Sequence, residues 1–247
     1  MEGRVVAIIQ ARMGSTRFPG KIMKNLFGKS VLAHVIERVK QIKSIDDVVI
    51  ATTMLVGDDI VEQEAAIQEA KVFRGSEEDV LSRYYYAAQK YKAQSVVRIT
   101  SDCPLIDPVV CDEIIGCFQQ NVYDLVTNAG GDLTQRTYPR GLDTEVFSFQ
   151  LLEEVFKKAD VKYQREHVTP YIYEHSDRIF YYKNQVDYSR YRWTLDTAED
   201  FALIREIYRH LYKGKHDFYL TEVIKLIEKY PELAKLNENI KQKNITS

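Results

Sequence analysis

The chain has 247 residues, 45% of them hydrophobic and 28% charged, and 34 basic side chains nearly balance 36 acidic ones for a net charge of −2. That length supports one large domain or two small ones with an ample core. The charge balance argues against nucleic acid or an anionic membrane as the main partner, so any anion site has to be local.

Met1 to Arg4 run into a short apolar segment, Val5 to Ile9. It is far below the roughly 18 residues a membrane span needs and lacks a signal-peptide pattern, so a cytoplasmic protein is expected. Val5-Val6-Ala7-Ile8-Ile9 reads as a strand buried on both faces. Behind Ser30, a residue suited to cap a helix, Val31, Leu32, Val35, Ile36, Val39 and Ile42 recur at helical spacing. Val48 to Ala51 reads as a strand, Asp58 to Ala70 as a helix, Val72-Phe73 as a short strand, Glu77 to Tyr91 as a helix and Val96 to Ile99 as another buried strand. Asp107 caps a helix opened by Pro108, a position where proline's missing N–H costs nothing. Past residue 124 the pattern loosens. Strands are expected near Leu125-Val126 and Glu145 to Phe147, with a Gly-rich loop, Asn128 to Gly131, and a tyrosine-rich stretch through Tyr191. Phe201, Ile204, Tyr208 and Leu211 mark one late helix and Leu220, Val223, Ile224 and Ile227 another, while Lys235 to Ser247 is polar enough to fray.

This alternation of β-branched runs with amphipathic stretches predicts βαβ units: a Rossmann-like α/β fold with a mostly parallel sheet flanked by helices. No linker, repeat or low-complexity run divides the sequence, so residues 1–247 read as one domain with an inserted subregion, about 130–190, able to cover a site. Cys103, Cys111 and Cys117 are odd in number and form no CxxC pair, which speaks against a disulfide framework and a structural zinc and leaves them as small buried hydrophobes.

In a parallel sheet ligands bind beyond the carboxyl ends of the strands, so Gln10 to Lys21, following the first strand, is where chemistry is expected. The run offers Gly14 and Gly20 for close backbone approach, hydroxyls at Ser15 and Thr16, and cations at Arg12, Arg17 and Lys21. Such groups can donate together to a triphosphate. The spacing is neither GxxxxGK[ST], since Ile22 follows the lysine, nor GxGxxG, and a solvated basic turn is the plain alternative. Asp102 also follows a strand, Asp196 precedes a helix, and both can face the same crevice. Mg²⁺ needs only one or two carboxylates beside phosphate oxygens; otherwise Asp102 bonds loop amides, and Asp196 or Thr197 caps the late helix. Asp143 can bind a ligand hydroxyl or cap a strand, and Tyr138 and Arg140 suit an acidic ligand or form an ordinary turn. Glu166-His167 lie on a helical stretch with no second histidine at metal spacing, which favours a structural hydrogen bond for His167. Ser76 with Asp79 makes a capping pattern after Arg74-Gly75. Tyr84-Tyr85-Tyr86 lie inside a helix and read as core faces rather than a stacking platform.

Ile9-Gln10-Ala11-Arg12 through Phe18-Pro19-Gly20-Lys21, followed by Gly28-Lys29, resembles the nucleotide-binding signature of cytidylyltransferases that activate acidic sugars. CMP-KDO synthetase belongs to that group, and the wording is most similar to the spore coat polysaccharide biosynthesis protein F family. The resemblance continues, in order, through Phe73 to Leu81, Arg98 to Asp107, Arg165 to Thr169 and Trp193 to Asp200. It implies a Mg²⁺-dependent nucleotidyltransferase that joins CTP to a sugar or sugar acid, with pyrophosphate leaving, for surface polysaccharide or glycan biosynthesis. Ala11, Arg12, Gly14, Ser15, Arg17, Lys21, Arg74, Ser76 and Asp102 would then bind nucleotide, with Arg12, Lys21 and Asp102 serving catalysis. Asp102 and Asp196 would hold Mg²⁺, and Arg140, Asp143, Glu166 and His167 would face the sugar. A homodimer built through the inserted subregion is implied as well. GTP with a hexosamine phosphate, or CTP with a phosphorylated alcohol, remain open. A glycosyltransferase using a nucleotide sugar would be expected to show Asp-x-Asp, which Ser101-Asp102-Cys103 lacks. A catalytically silent role is disfavoured by the presence of the loop cations and both aspartates.

Overall fold

A computed structural model describes residues 3–130 and 132–241. Gly131 of the Gly-rich loop, and residues 242–247 of the tail expected to fray, lie outside the described residues. In chain order the strands are β1 (Val5–Gln10), β2 (Asn25–Leu26), β3 (Lys29–Ser30), β4 (Asp47–Thr53), β5 (Lys71–Gly75), β6 (Ser95–Thr100), β7 (Leu125–Thr127), β8 (Glu145–Ser148) and β9 (Ile179–Tyr181). The helices are α1 (Val31–Val39), α2 (Asp59–Ile67), α3 (Val80–Lys90), α4 (Pro108–Gln120), α5 (Phe149–Lys158), α6 (Lys162–His167), α7 (Pro170–His175), α8 (Ala198–Leu211) and α9 (Leu220–Lys229).

The main sheet has seven strands in the order β5-β4-β1-β6-β8-β7-β9. β8 is antiparallel to both its neighbours, while the other pairings are parallel. β1 lies in its interior, third in that order, because its side chains are apolar on both faces. Val5, Ala7 and Ile9 enter a core shared with α1, α4, α8 and α9, and Val6 and Ile8 enter a second core with α3 and α5. Residues 6–9 have no exposed area, and each large side chain among them contributes roughly 1.5–3 kcal/mol by leaving water.

The caps follow the sequence closely. Ser30 Oγ accepts from Ala33 N at 2.9 Å, and Asp107 accepts from Val109 N and Val110 N ahead of Pro108. Of the Ser76–Asp79 pair, Asp79 is the cap of α3, accepting from Ser82 N, and Ser76 supports it by accepting from Asp79 N. Tyr84 and Tyr85 are buried and form the core face, while Tyr86 is exposed. Cys103 and Cys111 are buried and Cys117 partly so, without disulfides.

The loosely patterned region after residue 124 adds β7, β8 and β9 to the same sheet and packs α5 on it. The single helix expected around Val168 and Ile172 is broken into α6 and α7. Val168 sits between them at φ 73°, a left-handed conformation that no glycine announces. Among the described residues no helix is long and apolar enough to cross a membrane.

Candidate active site

The strand order sets the place. The chain leaves β1 for β4 on one side and later returns to β6 on the other, which opens a crevice at the carboxyl ends of β1 and β6. The segment after β1 fills one wall. Its turn is built by Gly20, at φ 66°, which leads into a 3-10 turn at Lys21–Met23, and Ile22 buries itself to anchor that turn. A Cβ at Gly14 would meet only ordinary contacts, so nothing in the protein itself requires glycine there. The Ala11 amide donates to Ala51 O and the Met13 amide to Asp58, whose other oxygen accepts from Thr53 Oγ1. Ser15 Oγ accepts from Phe18 N. Among the described residues the amides of Arg12 and Gly14 donate to no protein acceptor, which leaves donors pointing out of a fixed loop.

Lys21 crosses from this wall to the other. Its ammonium donates to Asp102 Oδ2 at 2.8 Å, Asp196 Oδ1 at 2.8 Å and Leu195 O at 2.7 Å. Burial alone would push the Lys21 ammonium down, but Asp102 and Asp196 outweigh it and hold it above the ordinary lysine value. Burial likewise pushes the Asp102 carboxyl up, and Lys21, by charge and hydrogen bond, brings it below the usual carboxylate range, helped by Thr100. Thr100 Oγ1 donates to Asp102 Oδ1 at 2.6 Å.

Asp196 is positioned from behind. Thr197, not Asp196, caps α8: its hydroxyl accepts from Asp200 N and the Asp200 carboxylate reaches back to Thr197 N, a complete capping box. Asp196 is therefore spared for side-chain pairing. Its Oδ2 takes the buried Arg192 at 2.8 Å and the more exposed Arg17 at 2.9 Å. Arg192 is itself fixed by Asp200, Nε to Oδ1 at 3.0 Å. The backbone ties these pieces to Asp102, with Leu195 N donating to Asp102 O at 2.8 Å. The same segment passes Arg140 O, which accepts from Trp193 N at 2.7 Å; a Cβ at Gly141, where φ is 100°, would stand 2.6 Å from Thr194 N.

The expected residues thus fall into groups. Arg12, Arg17, Lys21, Asp102 and Asp196 converge on the crevice, with Arg12 lying 3.5 Å from Glu77 at its edge. Arg74 is committed elsewhere, to Thr53 O, Leu55 O, Asp59 and Glu62, holding the start of α2 against β5, and Ser76 is spent on the cap. Asp143 is paired with the buried Arg136. The half-buried Arg140 is pushed below the ordinary arginine value by burial and by Arg136 beside it. Glu166 and His167 end α6, where Arg165 makes the anchoring contact, two bonds to Asp79.

Arg192, Asp200 and Thr100 were missed in the sequence. The signal was available for two of them, since Arg192, Asp196 and Asp200 recur at four-residue spacing; Thr100 reads only as the last residue of a strand. Also missed is the buried pair Arg98–Glu145, 2.5 Å apart, which ties β6 to β8. Glu145 accepts in addition from Tyr173 OH at 2.6 Å, and Arg98 reaches the Gln10 side chain at 3.3 Å.

Residues 6–245 match the family model described as cytidylyltransferase. The chain belongs to the cytidylyltransferase family, a family of nucleotidyltransferases. Within the family it is 34% identical over 241 residues to the spore coat polysaccharide biosynthesis protein SpsF of Bacillus subtilis, covering 93% of this chain and 96% of the relative. A cytidylyltransferase structure from Leptospira borgpetersenii superimposes with a TM-score of 0.89 at 36% identity, covering 98% of this chain and all of the other. The structure of a CMP-2-keto-3-deoxy-manno-octonic acid synthetase complexed with CTP shares the fold, with a TM-score of 0.66 at 19% identity over 83% of this chain and 98% of that one.

Proposed function

We propose that this cytidylyltransferase transfers the cytidylyl group of CTP to a hydroxyl of a sugar or sugar acid in the cytoplasm, for surface polysaccharide or glycan synthesis. The observation that carries the reading is the clasp of one ammonium, Lys21, by two carboxylates, Asp102 and Asp196, at the mouth of a cation-rich loop. A sugar hydroxyl oxygen bonds to the α-phosphorus as its proton passes to solvent, the bond from that phosphorus to the oxygen bridging to the β-phosphate breaks, and pyrophosphate leaves. Arg12, Arg17 and Lys21 bind the phosphates and neutralise the charge that builds on the leaving group. Lys21, standing 2.8 Å from both carboxylates, marks a point that one cation reaches from both sides. Once Lys21 turns from that point to the phosphates, two carboxylates converging so fit Mg²⁺, and Asp102 and Asp196 would be its protein ligands. When bound, the ion withdraws charge from the α-phosphate. Arg192 and Thr100 hold the two carboxylates in place from the far sides. Arg140 and Asp143 line the acceptor side. No covalent intermediate on the protein is called for, and the nearest thiol, Cys103, is pushed well up by burial and by Asp102, which keeps it protonated.

Pyrophosphate release, measured with each of four nucleoside triphosphates with and without sugar acids and sugar phosphates, tests the reading. CTP with a sugar acceptor is expected to give the largest rate. Release only with GTP, or none with any pair, would overturn it.

A further inference from the structure

Away from the crevice, His34 and Glu37 on α1 meet His216, which lies 182 positions after His34 on the connection between α8 and α9. His34 Nε2 lies 2.6 Å from Leu26 O, so this nitrogen carries the ring proton and donates it. His34 Nδ1 is then a bare lone pair. It stands 2.8 Å from His216 Nε2, which has to be the donor. Two neutral rings have no further N–H to give, and His216 Nδ1 turns its own lone pair toward Glu37 Oε2 at 3.4 Å. Acceptor faces acceptor, and the chain of contacts is one donor short. Lys29 does not supply it, because its ammonium holds the other oxygen, Oε1, at 2.5 Å.

We propose that His34, Glu37 and His216 bind a transition-metal ion, of which Zn²⁺ suits two imidazoles and a carboxylate best. One ligand atom from each residue lies within 4.8 Å of the others, a spread that bonds of about 2.0–2.2 Å draw together with a small movement of the rings. The bond from His34 to Leu26 O orients the first ring as the outer hydrogen bond of a metal-ligating histidine does. A shallow recess of about 430 Å³ is lined by Glu37 and His216 with Gln41, Asp217 and Tyr219 among others, so two of the three ligands border the surface, where water would complete the coordination. The site joins α1, directly after the phosphate loop and the β2–β3 hairpin, to the last third of the chain. The absence of a cysteine pair says nothing about it, because its ligands are histidine and glutamate.

The full-length protein, stripped by dialysis against chelator, is titrated with Zn²⁺ by calorimetry, and Co²⁺ serves as the visible-absorption probe. An Asp102→Asn, Asp196→Asn double variant removes the crevice carboxylates as competing ligands. That variant is expected to bind about one equivalent of Zn²⁺ with a rise in Tm, and to give the bands of four-coordinate Co²⁺. Adding His216→Asn should abolish the bands and weaken Zn²⁺ binding by at least about tenfold, with circular dichroism unchanged. Glu37→Gln gives a second reading, from a more exposed ligand, should His216→Asn fail to fold. Absence of stoichiometric Zn²⁺ binding in the double variant, or equal binding with the histidine replaced, overturns the site and leaves a hydrogen-bonded histidine pair.

Discussion

Lys21 is held by two carboxylates and a carbonyl with little exposure to water, and the charges are mutually dependent. Replacing it with alanine leaves Asp102 and Asp196 facing each other, a loss on the order of 3 kcal/mol in a partly buried site. Lys21→Ala should therefore lower both turnover, by at least about tenfold, and Tm. Added Mg²⁺ should restore much of the Tm if the carboxylates accept a divalent ion; a Tm indifferent to Mg²⁺ would count against that. Asp196→Asn tests the same point from the acid side. Because Thr197 carries the cap, the variant should fold, yet pyrophosphate release should fall by about a hundredfold or more through loss of a ligand charge. Full activity in Asp196→Asn with unaltered Mg²⁺ dependence would remove Asp196 from the chemistry. The signs of the pKa shifts fix the pH profile. Asp102, lowered when folded, stabilises fully above its unfolded value near 3.9 and loses that contribution as pH falls through the folded value. Lys21, raised when folded, stabilises fully below about 10.4 and loses it as pH rises through the folded value. Thermal unfolding followed across pH should show a plateau between these limbs, with a shallower acid limb in Asp102→Asn. Of the residues concerned, the loop cations and both aspartates were legible because their types and their places, after strands β1 and β6 or just ahead of α8, are set by the chain itself. Whether Asp196 caps a helix was not, since Asp196 and Thr197 are equally good caps and only the capping box with Asp200 decides.

Elements with a clear apolar period were readable. The six strands β1, β4, β5, β6, β7 and β8 and the helices α1 to α4, α8 and α9 all match segments with apolar runs or helical spacing. Three kinds of element were not. β2 and β3 are two residues each, too short for any period. β9 has one exposed and two half-buried side chains, so no buried face marks it. α6 and α7 are divided by backbone geometry at Val168, which its β-branched side chain gives no reason to expect. At the start of α8 the structure separates a capping hydroxyl from a buried carboxylate. Thr197→Ala should cost about 1 kcal/mol, the usual worth of a cap. Asp200 is fully buried and serves Arg192, Asn237 and the amides of Asp196 and Thr197, so Asp200→Ala should cost roughly 3 kcal/mol or more by stranding a buried guanidinium. Paired chemical denaturation curves check the difference; equal losses would mean that Asp200 acts only as a capping partner.

At the scale of the molecule, the sheet ends in β9, whose Phe180 is exposed and stacks on Tyr123, and Leu133, Val161 and Val186 expose further apolar area in the same part of the chain. We infer that this subregion pairs two copies. Sedimentation at micromolar concentration should give twice the chain mass of 28.8 kDa, and Phe180→Lys should shift it toward the monomer; a monomeric wild type would count against pairing. The overall architecture was legible because the alternation of strands and helices admits few topologies, whereas the extension of the sheet beyond β6 depends on pairings between distant segments that no local pattern records.

The clasp around Lys21 also has a history in time. Its partners lie 81 and 175 residues later in the chain. At a synthesis rate of about 5–20 residues per second, the lysine emerges roughly 9–35 s before the second aspartate. For the first 81 residues of that interval the loop after β1 exists without either carboxylate and for the remainder with Asp102 alone, and the parallel strands behind it are among the slowest structures to pair. A nascent chain, or one cut short before Asp196, therefore holds all its loop cations and at most half of the clasp's carboxylates. Nucleotide that needs both walls of the crevice can reward only the completed fold.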